Sequence, residues 1–91
     1  MDKQHYIELA RSSLCERELE LAAECCTKIL GVFPDDRDAL HLLALVRQEQ
    51  GKPKESLTLL KRVIEVSPDF ATAYNDYGAV LLASNKPLDK R

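Results

Sequence analysis

Apolar residues recur along the chain at helical spacing. Between Lys3 and about Cys15, Tyr6, Leu9, Ala10 and Leu14 follow steps of three, one and four, which places them on one face of a helix. A second stripe, from about Glu18 to Val32, holds Leu19, Ala22, Ala23, Cys26, Ile29 and Leu30, with Glu20, Glu24 and Lys28 opposite. A third starts near Asp36 and ends at Gly51, turning Leu40, Leu43, Ala44 and Arg47 toward its neighbours. A fourth runs from Pro53 to about Val66, burying Leu57, Leu60, Val63 and Ile64 while Lys54, Lys61 and Arg62 stay wet. The fifth covers roughly Ala71 to Ser84, with Tyr74, Tyr77, Gly78 and Leu81 at helical spacing. No segment alternates with the period of a strand. The pattern predicts an all-α chain of five helices.

The breaks have their own chemistry. Pro34 and Pro68 each stop a helix, because the residue before a proline is pushed out of the α region. Asp36 follows Pro34 closely enough to cap the third helix, and Asp38 adds negative charge to its first turn. Gly51 suits a helix C-terminus, where positive φ is needed, and Pro53 suits the first turn of the next helix. The first break, at Glu16-Arg17-Glu18, holds neither Gly nor Pro and is weakly marked.

Residues 37–70 form one complete unit of a pattern that the flanking segments repeat. Pro34 and Pro68 are 34 residues apart, and the same offset relates Leu9 to Leu43, Ala10 to Ala44, Val32 to Val66, Ala39 to Ala73, Val46 to Val80, and Lys52-Pro53 to Lys86-Pro87. A period of this length signals stacked repeats.

In units 3–36, 37–70 and a partial 71–91, the chain resembles the tetratricopeptide repeat (TPR). Position 4 is Tyr6, Leu40 and Tyr74; positions 7 and 8 are Leu9-Ala10, Leu43-Ala44 and Tyr77-Gly78; position 32 is Pro34 and Pro68. Position 20, where a small side chain lets paired helices approach, is Ala22 and Ser56, but Lys90 in the third unit. Position 27 is Ile29 and Val63, larger than the alanine the family favours. The resemblance implies a right-handed superhelical stack of antiparallel helix hairpins, about two and a half units in one domain. It also implies a concave groove lined by the first helix of each unit. The groove set includes Ile7, Arg11 and Leu14, then Asp38, His41, Leu42, Leu45 and Glu49, then Asn75, Asp76 and Leu82. One TPR subfamily grips the C-terminal carboxylate of chaperones with Lys, Asn and Arg. Here the matching places hold Ile7, Arg11, Leu42, Thr72 and Asp76, which argues against that clamp. The apolar members instead suit an amphipathic helix or peptide anchored at Leu42 and Leu45, unless Leu14, Leu45 and Leu82 simply pack against neighbouring helices.

Charge and composition narrow the partners. A formal charge of −2, a pI near 5.6 and no basic stripe argue against nucleic acid. No long apolar run and no leader pattern predict a soluble, cytoplasmic chain without a membrane role. Three cysteines without a C-x-x-C spacing fit reduced thiols better than a disulfide framework. With His5 and His41 they offer no paired zinc spacing, so no metal or cofactor is expected. Cys26 reads as a small core residue and Cys25, about 100° round the helix, as nearer the surface.

The expected function is a non-enzymatic protein–protein interaction module binding a peptide or helix. Tyr77, Val80, Leu81 and Leu82 crowd one helix without the polar cover that ends a repeat stack. They mark either a piece of a longer protein or a face for homo-oligomer formation, with a self-assembling scaffold as the limiting case. The alternative is the N-terminal TPR region of a larger enzyme, such as a sulfotransferase or glycosyltransferase.

Overall fold

The computed structural model describes residues 2–85, and they form five α-helices: α1 Lys3–Cys15, α2 Leu19–Val32, α3 Arg37–Glu49, α4 Pro53–Val66 and α5 Ala71–Asn85. There is no strand among the described residues. The register at Lys86-Pro87 and the departure at Lys90 lie outside them. Each helix packs against the next in the chain, and α1 also touches α3. The result is an elongated stack, 48 × 29 × 18 Å. No described helix is long and apolar enough to cross a membrane.

Local chemistry sets the boundaries. The Asp2 carboxylate caps α1 by accepting from the His5 N–H at 3.3 Å, and Asp36 caps α3 by accepting from Ala39 N–H at 2.9 Å. Pro53 opens α4, where its missing N–H costs no intrahelical bond. Phe33-Pro34-Asp35-Asp36 and Ser67-Pro68-Asp69-Phe70 make the same turn, closed by the N–H of Asp36 on Phe33 and of Phe70 on Ser67 at 3.1 and 3.0 Å. Proline at the second turn position supplies the φ that such a turn requires.

The weakly marked break between α1 and α2 is a helix stop in disguise. Glu18 N–H bonds Ser13 C=O at 2.8 Å and Arg17 N–H bonds Leu14 C=O at 3.1 Å. One repeat later, Lys52 N–H bonds Arg47 C=O at 2.8 Å and Gly51 N–H bonds Gln48 C=O at 3.0 Å. Both are Schellman closures, which need a left-handed residue just past the helix. Gly51 takes it at φ 78°, and Arg17 takes it at φ 62° without glycine's freedom. The slot is therefore dictated by the repeat, and only its usual occupant is missing.

Among the described residues, buried side chains gather in three groups. The first joins Ile7 and Ala10 to Cys25, Cys26 and Ile29, and to Ala39, Leu42 and Leu43. The second sets Leu40 against Val63 and Ala73, and the third sets Ala44 against Leu60 and Val80. Helix α3 contributes to all three. Ala22 and Ser56 are fully buried, as the close approach of paired helices demands; the Ser56 hydroxyl has no hydrogen-bond partner among the described residues.

Three sequence expectations need correction. Ile7 and Leu42 are 2% and 5% exposed, because they fill the seam where α1 meets α3 and leave nothing for a ligand to grip. Cys25 is as buried as Cys26, since α2 is covered by α1 on one side and α3 on the other. Burial pushes the Cys26 thiol up to about 12 and also raises Cys25. Val80 is 1% exposed, turned inward onto Ala44 and Leu60 with Tyr77 packed beside it. Of the four residues expected on a self-association face, only Leu81 and Leu82 lie open.

Replacing Arg17 with Gly removes a left-handed side chain that costs about 1–2 kcal/mol and forfeits only an exposed ion pair with Glu49. After the extra unfolded-state entropy of glycine, Arg17→Gly raises stability by roughly 0.5–1 kcal/mol in urea unfolding. A loss of stability would show that the Arg17–Glu49 pair outweighs the backbone strain.

Candidate functional site

The first helices, α1, α3 and α5, present a common face. Along it the expected groove residues fall into two groups, one at the N-terminal ends of these helices and one at their C-terminal ends.

At the N-terminal end the face is closed by charge and ring contacts between units. Lys3 Nζ donates to Asp36 Oδ1 at 2.7 Å while Asp36 Oδ2 caps α3, so one carboxylate ties α1 to the start of α3. Burial raises the Asp36 carboxyl, but the Lys3 hydrogen bond and the Ala39 N–H outweigh it and hold the group below its ordinary range. Asp36 in turn raises the Lys3 ammonium. One repeat on, the slots of Lys3 and Asp36 hold Arg37 and Phe70, and the contact becomes a guanidinium 4.3 Å from the ring centroid. The same seam is held by an ion pair in one unit and a cation–π contact in the next.

His41 meets the edge of Phe70 at 5.3 Å between ring centroids, and its Nε2 lies 2.6 Å from Asp76 Oδ2. Both side chains are mostly covered, at 15% and 23% exposure. The pair links α3 to α5 across the face, so neither residue is freely offered to a ligand. Sequence reasoning named both residues and missed their pairing. Asp38 leans on Arg37 at 3.5 Å, while Arg11 and Asn75 are exposed.

At the C-terminal end the face opens. A notch of about 260 Å³ lies between α1 and α3, lined by Leu14, Cys15, Arg17, Leu45, Gln48 and Glu49. Arg17 reaches across its mouth to Glu49 Oε1 at 2.6 Å. Leu45, unlike Leu42, is only half-buried, so it is the apolar anchor of the expected pair that remains on the surface. Leu14 is likewise half-buried, which fits neither a pure packing role nor a free one. Arg17 was absent from the sequence-based groove set, because its place there depends on the left-handed turn that the sequence did not mark. Among the described residues no three His, Cys, Asp or Glu side chains gather to hold a metal.

On α5, Tyr74, Leu81 and Leu82 are 49%, 39% and 71% exposed. They do not line the notch.

No family model and no curated protein matches the chain. Among solved structures it is similar to that of a mutant O-GlcNAc transferase from Thermobaculum terrenum, with a TM-score of 0.82, 28% sequence identity and 92% of this chain covered. The fold is a TPR-like hairpin stack. The chain spans 17% of the length of that transferase. In this TPR-like stack the repeat period sets where the seams and notches fall, and side chains decide which of them stay open.

Asp36 gives the seam a pH signature. A carboxyl held below its ordinary value of 3.8 contributes stability that is present above that pH and is lost as pH falls through the folded-state value. Asp36→Ala, which removes both the cap and the Lys3 contact, costs about 1–2 kcal/mol near neutral pH. Asp36→Asn, which keeps a capping oxygen, costs less. In urea unfolding the gap between wild type and Asp36→Ala narrows below pH 3.8; a gap that stays constant there would show that the Asp36 charge contributes nothing.

Proposed function

We propose that the chain is a non-enzymatic protein–protein interaction module that takes a peptide or short helix on its first-helix face. The observation that carries this reading is the notch between α1 and α3, where the apolar Leu14 and Leu45 sit inside a polar rim of Arg17, Gln48 and Glu49. Apolar anchors within hydrogen-bonding groups are the usual make-up of a peptide groove. The contact centre moves from Leu42, which is spent in the core, to Leu45. Arg11 and Asn75 lie exposed on the same face and supply flanking polar contacts. The His41–Asp76 pair ties α3 to α5 beside it.

A second reading is that these residues are the N-terminal repeat region of a larger enzyme, such as a sulfotransferase or glycosyltransferase. The similarity to a glycosyltransferase, limited to 17% of that chain, favours it. In that setting the face still binds peptide, and the chemistry belongs to another part of the enzyme. Sequencing the gene beyond the codon for Arg91 distinguishes the two readings: a downstream α/β domain supports the second, and a stop codon removes it.

Selection from a displayed random-peptide library tests the binding role. Selected peptides lose roughly tenfold or more in affinity on Leu45→Glu and are unaffected by Leu21→Glu, an exposed change on α2. Circular dichroism confirms that both variants fold. If no peptide is selected, or if every selected peptide is indifferent to Leu45→Glu, the face is not a peptide site.

A further inference from the structure

The notch beside Leu45 has a counterpart one unit along. A second cavity, of about 250 Å³, is lined by Gln48, Gly51, Pro53, Val80 and Ala83. Three of its residues are the 34-residue counterparts of residues in the first: Gln48 of Leu14, Gly51 of Arg17, and Ala83 of Glu49. The two cavities are thus one feature repeated, and Gln48 forms the wall between them. Each is smaller than the ~300–1,000 Å³ of typical small-molecule sites, which suits a single side chain.

Their surroundings differ in charge. Around the first notch, Glu16, Glu18 and Glu49 are exposed, and the nearest cation, Arg17, is engaged by Glu49. Beside the second, Lys52 and Lys54 flank Pro53 in the open, while Glu55 is paired with Arg47 at 3.2 Å. Among the described residues the track is acidic at one end and basic at the other.

We infer that the two notches together seat one extended peptide, with two apolar side chains three positions apart, a basic residue beyond the first and an acidic residue beyond the second. This rests on the reading of the first-helix face as a peptide site. The spacing follows from the repeat. The step from one notch to the next is the repeat step from α1 to α3, which touch; touching helices lie about 8–10 Å apart, and a polyproline II chain of three residues per turn and 3.1 Å rise brings residues three apart onto one side at about 9 Å. A fully extended strand returns to the same side after roughly 6.6 Å, too short for the step. The Gln48 amide between the notches carries both donors and an acceptor. The polyproline backbone has unpaired groups to meet it, whereas a helical peptide has already used its own.

Fluorescence anisotropy with labelled peptides tests this on the full chain. The probe Ser-Lys-Leu-Pro-Pro-Leu-Glu-Ser is compared with Ser-Lys-Leu-Pro-Leu-Pro-Glu-Ser, which shifts the second leucine by one place. A charge-exchanged version, Ser-Glu-Leu-Pro-Pro-Leu-Lys-Ser, forms the third arm, and a helix-forming peptide with leucines seven apart the fourth. The first probe binds about tenfold more tightly than the second and third, and its advantage over the charge-exchanged form shrinks with salt. Ala83→Glu and Gln48→Leu each weaken the first probe about tenfold; Ala83 is exposed, so its replacement leaves the fold intact. No binding of the first probe, equal binding of the shifted peptide, or indifference to Ala83→Glu would each overturn the two-notch inference. If the helical peptide alone binds and is lost on Leu45→Glu, the peptide-binding role stands and the extended two-notch mode falls.

Discussion

The structure depends on the burial of α3 from both sides. Six of its residues are buried, against three in α1 and three in α4. They enter all three core groups: Ala39, Leu42 and Leu43 toward α1 and α2, Leu40 toward the α4–α5 side, and Ala44 against Leu60 and Val80. In a stack where each unit touches only its neighbours, stability is a sum of units and interfaces. Here the middle first helix packs against α1, α2 and α4 and enters every core group, and truncating any of its core leucines leaves a cavity in a small core, at a typical cost of about 2–5 kcal/mol.

That burial also decides where a ligand finds purchase. The face of α3 that looks toward α1 is consumed by the Ile7–Leu42 seam at its middle and by His41–Asp76 on the α5 side. Toward the C-terminal end, around Leu45 and beyond it, two cavities open along the first helices. The stack is held shut at one end of its face and open at the other. At the closed end the Asp36 carboxylate serves two donors at once, and Phe70 lies between Arg37 and His41.

Much of the fold was legible in the sequence because the signals were redundant. The 34-residue offset, Pro34 and Pro68, Asp36, Gly51 and Pro53 all agree with the helices observed. The α1–α2 stop was faint because Arg17 occupies the left-handed slot that Gly51 fills one unit later; the hydrogen bonds, not the residue type, reveal the motif. The site was less legible. A repeat position tells which helix face a side chain occupies, and Ile7 and Leu42, at adjacent positions of successive units, were read as lining that face. Whether two such side chains meet depends on how closely the helices pack, which the repeat pattern does not state. The same holds for His41 and Asp76, whose 35-residue separation misses the period by one. Cys25 was misplaced because a helix covered by two neighbours buries more than one stripe.

Native-state hydrogen exchange, read amide by amide, tests the central role of α3 most directly. The account predicts that the amides from Leu40 to Val46 exchange slowest and only through global unfolding, with α1 and α5 opening at lower free energy. Slower exchange in α1 or α5 than in α3, or an opening of α3 that leaves the other helices protected, would contradict it.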